Sequence, residues 1–231
     1  MRRLRRLARV GRILVALAGV GFAYAAYVYL TLPDVRPLRT SPPGTTAFME
    51  LRASEARSRG DEPRRVQRWV PYSRISPQLV RAVLVTEDAK FWQHAGVDYE
   101  QIKESMEVNL ERGEFARGAS TITQQLAKNL YLSPSKNPVR KIRELMIARR
   151  LEHELPKRRI LEIYLNVIEW GPNVWGVEAA ARYHYKTSAA ALNREQAARL
   201  AACIPSPRRR RPAQMNQYSG IILERMSSRG W

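Results

Sequence analysis

Apolar positions divide the chain into three unlike stretches. From Ile13 to Leu32 twenty successive residues carry no charge. As a helix rising about 1.5 Å per residue they would reach about 30 Å, the thickness of a bilayer core. Tyr24, Tyr27 and Tyr29 cluster toward the C-terminal end of this run, where an aromatic belt would sit. A run apolar on all sides predicts a membrane-spanning helix rather than a core helix with one polar face. Ala23-Tyr24-Ala25 resembles a small-residue cleavage site, but the apolar run continues past it, which favours a retained anchor. Pro33 ends the span. Residues 33–68 hold Pro33, Pro37, Pro42, Pro43 and Pro63 among many polar residues, which predicts an extended linker that begins to order near Trp69.

The third stretch has helical spacing almost to its end. Ser76-Pro77 reads as an N-cap followed by proline at the first helical position, and Val80, Val83 and Leu84 follow at helical intervals. Further helices are predicted over 99–112, 120–131, 139–155 and 157–168. The helix over 139–155 shows an apolar stripe of Ile142, Leu145, Met146, Ala148 and Leu151. Gly171-Pro172-Asn173 reads as a turn before a short helix over 176–185. Asn193 with Gln196 is a capping-box pair for a helix that runs to Cys203 and stops before Pro205 and Pro207. No stretch alternates with period two for long enough to argue a sheet, so the fold class is mostly α. The expected organisation is a basic N-terminus over 1–12, a transmembrane helix over 13–32, a linker over 33–68 and one domain over 69–231.

Charge sharpens this picture. The 231 residues hold 40 Lys and Arg against 21 Asp and Glu, a formal net charge of +19. Such an excess points to an anionic partner, which could be nucleic acid, anionic lipid or a phosphorylated substrate. Six arginines (Arg2, Arg3, Arg5, Arg6, Arg9 and Arg12) precede the apolar run without one acid, leaving 34 basic against 21 acidic residues beyond them. The positive-inside rule places that end in the cytoplasm and everything after Leu32 outside the cytoplasmic membrane. The single cysteine, Cys203, excludes an internal disulfide framework and a Cys-cluster zinc site. His94, His153 and His184 lack a ligand spacing, so no metal site is expected.

Four clusters could carry chemistry. Glu87 and Asp88 close an apolar helix just before Phe91, His94 and Gly96. A carboxylate at the edge of an apolar wall has its pKa raised by desolvation and becomes a proton acceptor; a solvated helix end is the alternative. Arg117-Gly118-Ala119-Ser120-Thr121 opens a helix bearing Gln124, Gln125 and Lys128. Hydroxyls, amides and a cation at a helix N-terminus suit an anion or a sugar, or serve only as caps. Lys136, Arg140, Lys141 and Arg143 crowd Glu144, as a phosphate grip around a charged carboxylate or as a surface ion-pair cluster. Ile160 to Asn166 and Glu169 to Ala181 read mainly as packing, with Asn166 and Glu169 as candidates for a structural polar network.

In this order the clusters resemble the peptidoglycan glycosyltransferase family (glycosyltransferase family 51), the polymerases that act on lipid II. Its Glu-Asp-x-x-Phe-x-x-His-x-Gly stands at Glu87 to Gly96, and its Gly-x-Ser-Thr-Ile-Thr-Gln-Gln-Leu at Gly118 to Leu126. Arg-Lys-x-x-Glu stands at Arg140 to Glu144, the fourth motif at Ile160 to Asn166, and an Ala-Ala-x-Ile-Pro-x-Pro type of run at Ala201 to Pro207. His184 and Tyr185 depart from the family's Tyr-Phe-Gly-Lys type of sequence, which touches local packing. The resemblance covers about Trp69 to Arg211.

The resemblance implies a lysozyme-like α-helical domain with a large lobe and a small membrane-proximal lobe. It implies polymerisation of lipid II into β-1,4-linked glycan, with inversion at the anomeric carbon and release of undecaprenyl diphosphate. Glu87 is then the general base. Lys128, Lys136, Arg140 and Lys141, with Arg117, stabilise the leaving diphosphate. Gln124, Gln125, Ser120, Thr121 and Gly118 orient the donor, and Asp88, Phe91 and His94 are further substrate-binding positions. Glu144 is a second catalytic carboxylate or the holder of the basic cluster. No cofactor is required, and divalent cations at most stimulate. The implied partners are lipid II, a lipid-linked glycan strand and the membrane, with wall-synthesis or division proteins as candidates and no nucleic acid. Lys186-Thr187-Ser188 is not the Lys-Thr-Gly of a penicillin-binding transpeptidase and has no serine partner motif, so a monofunctional chain is expected. Two rivals remain open: a muramidase, which would need a general acid for a sugar leaving group, and a membrane-tethered nucleic-acid binder, for which no recognised motif is present.

Overall fold

The computed structural model describes residues 2–112, 118–135 and 137–231, and among these it is mostly α-helical. The chain forms two compact units, residues 1–34 and residues 35–231. The first is one helix, α1 (Arg2–Leu30), whose Leu14, Val15, Leu17, Val20 and Phe22 are exposed. Among the described residues no helix is long and apolar enough to cross a membrane.

The second unit begins with a correction. Where the prolines predict an extended linker over 33–68, the chain folds into a 3-10 turn (Arg36–Arg39), helix α2 (Ala47–Ser58) and strand β1 (Val66–Gln67). Pro37 sits at the start of the turn, where its fixed φ suits a first helical position. Thr46 caps α2, accepting a hydrogen bond from the Met49 amide at 3.2 Å, and Met49 and Ala56 are buried. Proline punctuates this stretch without extending it.

Helix α3 (Pro77–Glu87) starts on Ser76 as expected, with the serine hydroxyl accepting from the Gln78 amide. It buries Leu79, Val80, Val83 and Leu84 against α9 (Arg194–Cys203) and the C-terminal α10 (Asn216–Ser227). The capping box of Asn193 and Gln196 opens α9 with both reciprocal bonds present. Helix α4 (Tyr99–Arg112) leads to the second motif. Helix α5 (Ile122–Tyr131) is central, touching α2, α6 (Pro138–Glu154) and α7 (Lys157–Val167). Residues Ile160 to Val167 of α7 are buried apart from Glu162, which is half-buried. The stripe predicted on α6 is rotated. Ile142 is exposed, and the buried positions are Glu144, Ile147, Ala148 and Leu151, which follow the i, i+3, i+4, i+7 spacing of one helix face. A glutamate therefore occupies an inward position that apolar counting alone leaves out.

The expectation of no sheet is also corrected. β1, β2 (Glu169–Gly171) and β3 (Val174–Trp175) form a small sheet in the order β1-β3-β2, with β1 parallel and β2 antiparallel to β3. Strands of two or three residues, with β2 and β3 wholly buried, are too short to alternate. Asn166 explains how the sheet region is held. Its amide donates to the Val70 and Glu162 carbonyls, and its oxygen accepts from the Val70 amide. Gly176, at φ +80°, precedes α8 (Val177–Tyr185) and lies so close that an added Cβ would stand 2.6 Å from the Asn166 carbonyl oxygen. Gly176→Ala is expected to cost about 2–4 kcal/mol through strain and overlap, read as a lower thermal unfolding midpoint.

Candidate active site

Glu87 is the last residue of α3, and Asp88 breaks the helix with φ −163°. The buried Asp88 carboxylate then ties two motifs together. One oxygen accepts from the Ile122 amide at 2.9 Å, and the other meets His94 Nε2 at 2.9 Å. His94 Nδ1 accepts from the Gly96 amide at 3.1 Å, so a neutral ring carries its proton on Nε2 and donates to Asp88. Gly96 has φ +86°, which favours glycine. Its carbonyl accepts from the Thr121 hydroxyl at 2.7 Å and from the Gln124 amide group at 3.3 Å. Thr121 also caps α5, accepting from the Gln124 backbone amide. Phe91 is fully buried, with the Lys157 ammonium 4.3 Å from its ring centre.

These contacts change several expected roles. Asp88, Phe91, Thr121 and Gln124 have essentially no accessible surface, and His94 is turned onto Asp88. Asp88, Thr121 and Gln124 hold the first two motifs against one another instead of meeting substrate, and Phe91 packs beside His94 and Lys157. Gly118 and Ser120 are exposed. Arg117 and Lys136 lie outside the described residues.

The stitched loops deliver Glu87 to the side of α5. A Glu87 carboxylate oxygen accepts from Gln125 Nε2 at 2.7 Å, and Gln125 Oε1 accepts from the Tyr164 hydroxyl at 2.8 Å. Burial raises the Glu87 pKa above the usual carboxylate range; the Gln125 bond and the Lys128 charge pull against that rise, and Asp88 adds to it. Tyr164 is fully buried and its pKa is pushed far up, mainly by burial, so its hydroxyl remains a donor. By residue type Tyr164 reads as packing, yet a tyrosine on the apolar face of a helix is a usable signal, because its buried hydroxyl needs a partner. Tyr164→Phe is expected to free the Gln125 amide to turn. About tenfold should be lost from kcat with little change in KM, and the acid limb of the pH–rate profile should rise. Both are read from steady-state assays across pH.

Lys128, one turn along α5 from Gln125, has its pKa lowered by burial, partly restored by Glu144. No hydrogen-bond acceptor among the described residues takes its ammonium; the Phe48 ring centre lies 5.8 Å away. Lys141 donates to the Ser120 hydroxyl and the Gln124 carbonyl oxygen, each at 3.2 Å. Arg140 and Lys141 both pair with Glu144, which is 3% exposed. With both its oxygens so engaged, Glu144 holds the basic cluster; the geometry favours this over the direct catalytic role.

Of the hydrogen-bonded pair Glu87 and Gln125, Gln125 lines one cavity and Glu87 lines another. One, of about 620 Å³, is lined by Gln125, Lys128, Tyr164, Phe48 and Arg52, with the Pro205 to Arg209 loop opposite. The other, of about 740 Å³, is lined by Thr86, Glu87, Gly118, Arg225 and Arg229. Among the described residues no group of three or more His, Cys, Asp or Glu side chains gathers as for a metal ion. A partly desolvated carboxylate lining one cleft and bonded to a glutamine of the next, where an ammonium meets no acceptor among the described residues, defines a group-transfer site suited to an anionic leaving group.

Comparison with known proteins agrees in kind. A transglycosylase family profile matches residues 55–227, and the chain belongs to that family. It is 53% identical over 188 residues to a protein named biosynthetic peptidoglycan transglycosylase from Dechloromonas aromatica (strain RCB), covering 80% of this chain and 81% of that one. Proteins of the same name from Nitrosospira multiformis and Chromobacterium violaceum are 50% and 46% identical, over 80% and 83% of this chain and 83% and 84% of their own.

Proposed function

We propose that this domain polymerises lipid II into β-1,4-linked glycan with inversion at the anomeric carbon. The observation that carries the reading is the half-buried Glu87, whose carboxylate is fixed by Gln125 and lies within electrostatic reach of Lys128, whose ammonium meets no hydrogen-bond acceptor among the described residues. Inversion needs the acceptor hydroxyl on the face opposite the leaving group. Glu87 takes the proton of the acceptor 4-hydroxyl as that oxygen bonds to the donor's anomeric carbon. The bond from that carbon to the diphosphate breaks, and its electron pair leaves on undecaprenyl diphosphate. A diphosphate departs without protonation when cations meet its charge, and Lys128, Arg140 and Lys141 supply them. Ser120 and Gln124 hold Lys141 in place. The chemistry needs no cofactor from the protein, and a divalent cation would act only as a stimulant on the diphosphate.

The apolar run Ile13 to Leu32 supports a single-pass anchor in the cytoplasmic membrane, and the six arginines before it place the N-terminus inside and the domain outside. That topology fits a lipid-linked substrate, a lysozyme-like large lobe with a small lobe near the membrane, and wall-building proteins as neighbours; it sets nucleic acid aside. The remaining basic residues, Arg208 to Arg211 among them, suit anionic headgroups.

Purified lipid II incubated with detergent-solubilised full-length protein is expected to give a glycan ladder on a gel. Release of soluble fragments from cell-wall sacculi without a ladder would instead make the protein lytic.

A further inference from the structure

We propose that helix α2 is a working wall of the cleft beside Lys128, with Phe48 positioning the Lys128 ammonium and Arg52 fastening the helix in place. The inference rests on the glycosyl-transfer reading and extends it to residues that precede the family-matched stretch, which starts at 55.

Three observations converge. Phe48 and Arg52 line the same cavity as Gln125, Lys128 and Tyr164. The Phe48 ring stands 5.8 Å from the Lys128 ammonium. A ring at that distance keeps water from one side of the cation and offers it a negative face, while Lys128 itself lines the cleft. Finally, α2 is fastened at two points across the cavity. Arg52 pairs with Glu169 of β2 at 3.2 Å and with Glu55 at 2.8 Å, while the other Glu55 oxygen pairs with Arg208 at 3.2 Å. The Glu169 carboxylate is 5% exposed, so this tie is shielded from screening more than a surface pair would be. Buried Met49 and the packing of α2 on α5 complete the attachment. The wall is therefore built on the helix that carries Gln125 and Lys128.

Lys128 is influenced by Glu144, Arg140 and Lys141 from α6 and by Glu87 from α3; Arg52, Glu169, Arg208 and Arg209 line the cavity around it. These charges remain when Phe48 is changed, so an altered Lys128 titration reports the ring.

The test uses full-length protein in detergent, with farnesyl diphosphate as the binding probe and lipid II as the substrate. Phe48→Ala is expected to weaken farnesyl diphosphate binding and to lower kcat/KM for lipid II, each by about fivefold. It should also move the alkaline limb of the activity profile upward, because burial is the largest cause of the lowered Lys128 pKa, and water admitted where the ring stood outweighs the weak attraction of a ring face 5.8 Å away. Phe48→Tyr is expected to stay within about twofold of the native protein. Phe48→Leu, which keeps an apolar side chain without the ring face, should lose affinity with its unfolding midpoint held. Native affinity and an unmoved alkaline limb in Phe48→Ala would overturn the proposal, as would equal losses in Phe48→Tyr. If the native chain binds the probe, and Phe48→Ala weakens it, while no glycan forms, the wall stands and the polymerase reading falls.

Discussion

Glu87→Gln is expected to abolish glycan polymerisation while raising the unfolding midpoint near neutral pH. A positioned general base contributes about 10²–10⁴-fold, and no other carboxylate in the site has its place. Asp88 is committed to Ile122 and His94, and Glu144 to Arg140 and Lys141. Glutamine keeps the shape, and its carbonyl oxygen still accepts from Gln125. The stability gain follows from the direction of the pKa shift. Burial raises the Glu87 pKa in the folded state, so the folded chain holds this proton more tightly than the unfolded chain. The associated stability is fully present below the unfolded carboxylate pKa and is lost as pH rises through the raised folded value. Near pH 7 the native protein bears a partly desolvated charge that glutamine removes. Thermal unfolding across pH should show the midpoints of the two proteins converging as pH falls through that window. The same shift places the acid limb of native activity above the usual carboxylate range. Full residual polymerisation would remove Glu87 from the mechanism, and a lower midpoint at neutral pH would make its charge structural.

Lys128→Ala is expected to have the next largest effect, a loss of about 10²–10³-fold, falling on use of the donor more than of the acceptor. Lys128 is the cation best placed to meet a departing diphosphate. It is largely desolvated, faces the 620 Å³ cavity and has no hydrogen-bond acceptor among the described residues. Arg140 and Lys141 are already paired with Glu144, which spends part of their charge. Arg140→Ala should also impair donor use, by less, and should lower stability by leaving the buried Glu144 with one partner. Lys128→Arg provides a control in pH. Burial lowers the Lys128 pKa, so native activity should fall at alkaline pH before an ordinary lysine would titrate; arginine keeps its charge there and should flatten that limb. Kinetics at varied donor and acceptor that show the larger loss on the acceptor would reassign Lys128.

Some of the site was legible because local rules determine it. Ser76 and Asn193 are caps that satisfy free amides within a few residues, and each opens the helix it marks. Gly96 and Gly176 occupy the left-handed region. The motifs around Glu87, Gly118 and Arg140 lie against one another in the fold, and their residue types do not declare the division of labour inside them. Asp88, Phe91, Thr121 and Gln124 carry polar or aromatic groups as substrate ligands do. Their burial, which no residue type declares, turns them toward one another instead. Glu144 shows the same ambiguity from the other side, as an acid on an inward helix position whose charge is met by Arg140 and Lys141.

The sequence by itself determined the helical class, the start and end of most helices, the uncharged run before Pro33 and the order of the charged and amide clusters. These follow from spacings of a few residues, because backbone hydrogen bonds, capping and helical periodicity act over that range. Only the tertiary structure decided that Gln125 joins Glu87 to Tyr164, that α2 forms a wall beside Lys128, and that three short strands make a sheet. The physical reason is the reach of the interactions. Helical periodicity tells which face of α5 is buried and nothing about what covers it. Contacts spanning 38, 39 and 117 positions, such as Glu87–Gln125, Gln125–Tyr164 and Arg52–Glu169, exist only once packing has brought those faces together.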